Sequence, residues 1–211
     1  IVEKMIKNHN FESNYIIERI VLKAYLIETP LLEAFWSNNT NIAKLLIQNP
    51  KSDINFLCSK SEYNAFKIQI GAVYMCVMKN NAELLKCLMD QKHLNINLGY
   101  VNEWKFTKKH NRVKESNPLS NALVYQNHEI INMLLSHPNI DVNVKNQMYQ
   151  YRLLDSEKTK YIIFERTVLY DAVEIGDVET VKQLLLNKKM NLLLEDFTSK
   201  FKNLKEQKNQ S

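Results

Sequence analysis

The spacing of apolar residues in the segment 117–143 predicts two short helices followed by a turn. Asn117 is a favoured helix N-cap, and Pro118 suits the first helical position, where a missing N–H is harmless. Apolar residues then recur at helical spacing on both sides of a polar link at residues 126–128. Pro138 ends the second helix, and residues 140–143 alternate like the start of a strand. Such a short helix pair needs neighbours to bury its apolar faces.

The same pattern recurs along the chain and predicts a repeat array. The segments between the units are rich in β-branched and aromatic residues, and differences in repeat length come entirely from the lengths of these segments. These inter-unit segments therefore predict extended hairpins. The predicted units are residues 29–55, 71–97, 117–143 and 167–193, preceded by a half unit at 1–14, and the inter-unit segments are 15–28, 56–70, 98–116 and 144–166.

Several motifs of these units resemble the ankyrin repeat. They are Thr29-Pro30-Leu31 with Ala34, Asn117-Pro118-Leu119 with Ala122, and Ala172 followed by Gly176-Asp177 and the pair Leu184-Leu185. Asp141-Val142-Asn143 matches the exit motif of that family, and Asp53-Ile54-Asn55 nearly matches it. The period is longer than in that family, and the usual glycine between the helices survives only as Gly176, so we expect irregular turns elsewhere.

The resemblance implies an all-α solenoid of stacked helix-turn-helix ankyrin-type repeats with extended β-hairpin fingers. The array would span residues 1–194, followed by a polar basic tail at 195–211. Because the chain opens with half a unit, we expect it to be a fragment of a larger protein. The resemblance also raises hydroxylation of Asn55 and Asn143 in the exit motif, but a turn asparagine bonded to backbone is the favoured expectation.

Composition indicates the cellular compartment in which this array is expected. The formal net charge is +5, and the three cysteines Cys58, Cys76 and Cys87 lack metal-ligand spacing and read as reduced thiols. No apolar run is long enough for a transmembrane helix, so no membrane insertion is expected. These features predict a cytoplasmic protein, with a cytoskeletal or nuclear location as alternatives.

The candidate contact residues lie in the last two inter-unit segments, where basic and aromatic residues interleave. Such residues could dock an acidic protein surface, stack on nucleic-acid bases, or simply pack one hairpin on the next. On the helices, the positions expected to line a groove beside the hairpins are Glu33, Ser37, Asn121 and Glu174. The predicted partner-binding residues are Trp104, Phe106, Lys108, Lys109, Arg112, Tyr149, Tyr151 and Arg152.

Catalytic patterns do not occur in this sequence. The five histidines are scattered, and no nucleophile elbow, phosphate-binding glycine loop or zinc-protease motif is present. We therefore expect no enzyme activity, no cofactor and no metal. The predicted function is a protein–protein interaction scaffold within a larger assembly, its partner offering an acidic, for example cytoskeletal, surface. The alternatives are binding of nucleic acid or another polyanion, or a regulatory segment of a larger enzyme or channel.

Overall fold

The computed structural model describes residues 17–21, 24–62, 66–107, 110–154 and 157–191 of the 211-residue chain. The predicted half unit at 1–14 and the tail at 195–211 lie outside the described residues. Helix pairs alternate with strand pairs throughout the described part of the chain. Each of the four predicted units from 29–55 to 167–193 contains one helix pair.

The helices form two rows. Within the first row, each helix packs against the next one, and in the second row the second helices of the first three pairs pack against one another in succession. The first helices of the pairs are α1 (Pro30–Trp36), α3 (Ala72–Met78), α5 (Pro118–Val124) and α7 (Val168–Ile175). The second helices are α2 (Thr40–Gln48), α4 (Ala82–Met89), α6 (His128–Ser136) and α8 (Val178–Leu186).

The hydrophobic core lies between these two rows. A small side chain is buried at the equivalent position of each first helix, where it allows close packing, and a leucine is buried at the equivalent position of each second helix. None of these eight side chains is more than 4% exposed. The small residues are Ala34, Cys76, Ala122 and Ala172, and the leucines are Leu46, Leu88, Leu134 and Leu184. The periodic apolar residues of the sequence thus form one continuous core.

Side-chain caps begin the helices, as the sequence predicts. Asn117 Oδ1 accepts a hydrogen bond of 2.8 Å from the backbone N–H of Ser120, and Thr29 and Thr167 cap their helices in the same way. Gly71 precedes α3 without a side-chain cap. The second helices begin at equivalent caps, which are Asn39, Asn81, Asn127 and Asp177.

The links between paired helices all use one residue with left-handed backbone geometry. Gly176 has a φ of 80°, and Asn38, Asn80 and Gln126 have φ values of 56°, 54° and 52°. Asparagine tolerates this conformation because its short side chain bonds locally. The expectation of irregular turns is therefore wrong, since the three links without glycine share the left-handed geometry of the link at Gly176.

In the described part of the chain, the strands form a single antiparallel sheet of eight strands in chain order. Every strand pairs with the next one, both within a hairpin and between successive hairpins. The strands are β1 (Ile17–Val21), β2 (Ala24–Glu28), β3 (Cys58–Glu62), β4 (Phe66–Ile70), β5 (Tyr100–Thr107), β6 (His110–Ser116), β7 (Lys145–Leu154) and β8 (Glu157–Thr167).

This sheet overturns the predicted fold class. The all-α solenoid is wrong, because the chain forms a mixed α/β fold in which the sheet is as continuous as the helix rows. The inter-unit segments do contain hairpins, as expected. A lone hairpin leaves unpaired N–H and C=O groups on both of its edges. Pairing with its neighbours satisfies them, and the hairpins therefore become a sheet instead of separate appendages.

Asparagines of the exit motifs clamp each helix pair to the next one. In each clamp the side-chain N–H donates to a backbone carbonyl of the following unit, and the side-chain oxygen accepts from a backbone N–H two residues further on. The expectation of turn asparagines bonded to backbone is confirmed. Asn55 bonds His93 O and Asn95 N at 2.8 Å each, Asn97 bonds Asn139 O and Asp141 N at 2.9 Å each, and Asn143 bonds Lys189 O at 2.7 Å and Asn191 N at 2.8 Å.

Removing one clamp tests its contribution to stability. Asn97→Ala deletes the two hydrogen bonds of this clamp, which join the second unit to the third. We expect the free energy of unfolding to fall by about 1–3 kcal/mol, as measured by urea titration. Lys92→Ala, a truncation at a nearby exposed site, serves as the control and should leave stability within about 0.5 kcal/mol. Equal stability of the two variants would show that the clamp contributes nothing.

The link residue Gln126 offers a second test. It lacks the short side chain of asparagine, so its left-handed backbone is strained. Gln126→Gly should raise the free energy of unfolding by about 0.5–1 kcal/mol, the relieved strain exceeding the greater entropy of glycine in the unfolded chain. Tyr125→Gly, at a helix end with φ of −83°, should instead lower it. Destabilisation by Gln126→Gly would contradict this account of the link.

Candidate functional site

The register of the sheet determines which side chains share a face. Residues opposite one another on neighbouring strands lie on the same face, and successive residues of a strand alternate between faces. Trp104 is opposite Arg112, and Val113 is opposite Tyr149. Trp104 and Arg112 therefore share one face, whereas Tyr149 lies on the other.

The face that carries Arg112 also carries Lys114, and it lies against the first helices. There the last three strands and the helices α5 and α7 enclose a groove of about 340 Å³. This volume is at the low end of the range for ligand sites. We call this space the sheet–helix groove. Its lining residues are Lys114, Ser116, Asn146, Phe164 and Arg166 on the strands, Asn121 and Val124 on α5, Gln126 on the link, and Asp171, Glu174 and Ile175 on α7.

An aromatic contact holds the sheet against the first helices beside the groove. The ring of Tyr74 on α3 stacks on Tyr100 of β5 with centroids 5.2 Å apart and planes 13° apart. Tyr74 also hydrogen-bonds Ser116, which lines the groove. Burial raises the pKa of Tyr74 to about 12. Burial thus keeps this phenol neutral, while the ring stack and the hydrogen bond to Ser116 attach α3 to the sheet beside the groove.

The predicted contact residues do not form one cluster. Only Trp104 and Arg112 are directly opposed, and neither lines the sheet–helix groove. For three others the backbone alone is described. Phe106 lies at the bulge in β5, Tyr151 is opposite Asn111, and Arg152 is opposite His110. Lys108 and Lys109 lie outside the described residues.

Tyr149 packs within the sheet on the face away from the groove. Its side chain is only 7% exposed, and its hydroxyl donates to Glu115 Oε1 at 2.5 Å. The ammonium of Lys160 lies 3.9 Å from the ring centroid. This aromatic residue therefore joins neighbouring strands, which is the packing role that the sequence left open as an alternative.

Two arrangements inside the groove hold its charged side chains in place. The guanidinium of Arg166 forms an ion pair with Glu174 and lies over the ring of Tyr170, 5.2 Å from its centroid. Asp171 is 8% exposed and accepts a 2.9 Å hydrogen bond from Asn146 Nδ2. Asn146 Oδ1 in turn accepts a hydrogen bond from the backbone N–H of Asn117 at 3.1 Å. These interactions fix the positions of the lining side chains.

Two side chains of the groove, one a hydrogen-bond donor and one a cation, have no partner among the described residues. The side-chain N–H group of Asn121 is buried and has no hydrogen-bond partner in the described part of the chain. Lys114 is exposed and forms no ion pair with any residue that the structure describes. A buried donor without a partner is costly, but Asn121 Nδ2 is shielded from ligands as well as from solvent, so Lys114 is the group that a negatively charged ligand can reach.

The sequence identified part of this groove. Asn121 and Glu174 were expected on the helical wall, and both line it. Asn146, Arg166 and Asp171 were missed as site residues. Asp171 had one available signal, a carboxylate next to the buried Ala172 in an otherwise apolar stripe. No pattern within one segment could show that residues from three strands and two helices meet.

Comparisons with known proteins do not assign a family, since no family model matches the sequence and no curated protein matches it.

Within the described ranges, no helix combines the length and apolar character needed to cross a membrane. Among those same residues, no cluster of three or more histidine, cysteine or acidic side chains could hold a metal ion.

The buried carboxyl of Asp171 predicts a pH-dependent stability. Burial raises its pKa above the ordinary value of 3.8. The folded protein then holds this proton more tightly than the unfolded chain, so the carboxyl favours folding at low pH. This contribution is lost as the pH rises through the two pKa values. Asp171→Asn should therefore gain stability relative to the wild type as the pH rises from below 3.8 toward neutrality.

Urea titrations across this pH range measure the difference in unfolding free energy between the two proteins. Asp90→Asn, which changes an exposed carboxylate at the end of α4, is the matched control. A wild-type minus Asp171→Asn difference that stays constant with pH would refute the assignment.

Proposed function

We propose that this protein is a binding scaffold that takes a protein partner into the sheet–helix groove. The observation that carries the proposal is the groove itself, a preformed space of about 340 Å³ lined by both fixed polar groups and exposed apolar side chains. Val124 is 64% exposed and Ile175 37% exposed at its rim. Mixed apolar and polar lining of this kind is typical of sites for organic ligands and peptides.

The fixed geometry of the lining supports a binding role. Arg166, Glu174, Asp171 and Asn146 are already held by mutual contacts before any partner arrives. A partner then loses less free energy to side-chain ordering on binding. The resemblance of the helix-pair units to ankyrin repeats points the same way, because that family binds partners beside its hairpins. Catalysis forms no part of the proposal.

The charges of the groove favour a protein over a nucleic acid. A groove for a phosphate backbone needs several uncompensated cations. Here the carboxylates of Asp171 and Glu174 lie among the cations, and Glu174 neutralises Arg166. The rival function, binding of nucleic acid, therefore depends on the basic and aromatic residues of the last two inter-unit segments and on the net charge of +5, and not on this groove.

A cytoplasmic location is part of the proposal. It is supported by the cysteines Cys58, Cys76 and Cys87, which are all free thiols. Cys58 and Cys76 are buried within the core, where thiols behave as small apolar side chains. A role within a larger assembly, including a regulatory one beside an enzyme or channel, is compatible with the same groove.

Site-specific photocrosslinking tests the proposal. The photoreactive residue p-benzoylphenylalanine replaces Val124 at the groove rim, and in a control protein it replaces Leu186, which is 83% exposed and does not line the groove. Both proteins are irradiated in a lysate of the source cells and analysed by mass spectrometry. We expect one or more protein adducts that form at position 124 and not at position 186.

Nuclease treatment of the crosslinked samples separates the two candidate functions. Adducts of a protein partner survive nuclease, whereas adducts of RNA collapse to the mass of the scaffold with a short nucleotide remnant. Identical adducts at both positions, or adducts that only nuclease removes, would refute the proposed function.

A further inference from the structure

We propose that the sheet–helix groove recognises an extended peptide segment in which a carboxylate side chain lies next to an apolar side chain. The inference rests on the proposed function and names the chemistry of the partner. It depends on which lining groups already have a hydrogen-bond or ion-pair partner and which do not.

The groups of the groove that already have a partner contribute mainly to its shape. Glu174 neutralises Arg166, whose guanidinium also lies over the rings of Tyr170 and Phe164. Asp171 is bonded to Asn146 and is nearly buried. A ligand that replaced either interaction would have to break an existing bond, so these four side chains form the floor and walls of the site.

The unsatisfied groups are a cation and a hydrogen-bond donor. Lys114 Nζ has no acidic partner within the described ranges, and Asn121 Nδ2 is buried without an acceptor. The buried Asn121 nitrogen is shielded from a ligand, whereas the exposed Lys114 ammonium can donate to a carboxylate oxygen of a ligand. Hydrogen bonds between charged groups are also the stronger kind. Lys114 therefore favours a carboxylate over a neutral amide.

Apolar surface lies beside these two donors. Val124, Ile175 and the ring of Phe164 line the same groove, and the first two are exposed to solvent. An aliphatic or aromatic side chain placed there would remove apolar area from water on both partners. Gln126, on the link at the groove mouth, has an amide that can both donate to and accept from a peptide group.

The remaining charges exclude a more highly charged ligand. A phosphate group carries more negative charge than a carboxylate and binds best to clustered arginines. In this groove, the one arginine is paired and two carboxylates lie nearby. A single negative charge meets one free cation, so the carboxylate of Asp or Glu fits and a phosphorylated side chain does not.

A displayed library of random peptides, panned on the full-length protein, tests this directly. We expect the selected peptides to share an Asp or Glu beside Leu, Ile, Val or Phe. Synthetic copies are then measured by fluorescence anisotropy against the wild type and three variants. Lys114→Glu should weaken binding at least about tenfold, because a charge-assisted bond is replaced by repulsion. Lys182→Glu makes the same charge change on exposed α8 outside the groove and should leave affinity unchanged.

Val124→Arg fills the groove rim and reports whether the peptides bind there at all. Changing the peptide carboxylate to its amide, or replacing it by phosphoserine, should each weaken binding to the wild type about tenfold. Thermal unfolding of every variant verifies that it is folded, and Lys114→Gln, which removes the charge without reversing it, should give an intermediate loss.

The outcomes distinguish this inference from the proposed function. Peptides that Val124→Arg blocks but that lack the acidic residue, or that bind Lys114→Glu as well as the wild type, would overturn the carboxylate recognition and leave groove binding intact. Tighter binding of the phosphoserine peptides would overturn it equally. If no peptide is selected, or if Val124→Arg has no effect on those that are, both the inference and the groove as a binding site fail.

Discussion

Pairing between successive hairpins is the constraint on which the rest of this structure depends. Each hairpin closes one of its strands against the other and leaves two edges with unpaired backbone groups. The pairs β2–β3, β4–β5 and β6–β7 satisfy those groups and turn four local hairpins into one sheet. Because the strands run in chain order, one face of this sheet follows the whole row of first helices. The sheet–helix groove exists only because that face is continuous.

Two further couplings hold the helix pairs in the same order as the strands. The clamps of Asn55, Asn97 and Asn143 tie each unit to the backbone of the following one, while Ala34, Cys76, Ala122 and Ala172 let the first helices pack closely. Hydrogen bonds on one side of the array and apolar contacts on the other therefore act on the same spacing. A shift of one unit along the row would break both, which gives the groove its fixed geometry.

Local features were predictable from the sequence, whereas long-range pairing was not. Caps such as Asn117 and the helix spacing around Ala122 act within a few residues, so the helix pairs and the hairpins could be recognised one at a time. Whether a hairpin stands free or joins its neighbour depends on residues about forty positions apart, and the resemblance to a helical repeat favoured the wrong answer. The same limit applies to the site. Asn121 was expected in a groove beside the hairpins because of the resemblance to the ankyrin repeat, but the strand register that puts Tyr149 on the opposite face and Arg166 beside Glu174 has no local signature.

Hydrogen–deuterium exchange of the backbone amides that bond between β6 and β7 tests the central claim most directly. These amides belong to different hairpins, so their protection reports the continuity of the sheet and not the stability of either hairpin. The account predicts that they exchange as slowly as the amides within the β7–β8 hairpin, and that both are released together on unfolding. Rapid exchange between β6 and β7, with protection retained inside each hairpin, would show that the hairpins are separate and that the groove has no continuous wall.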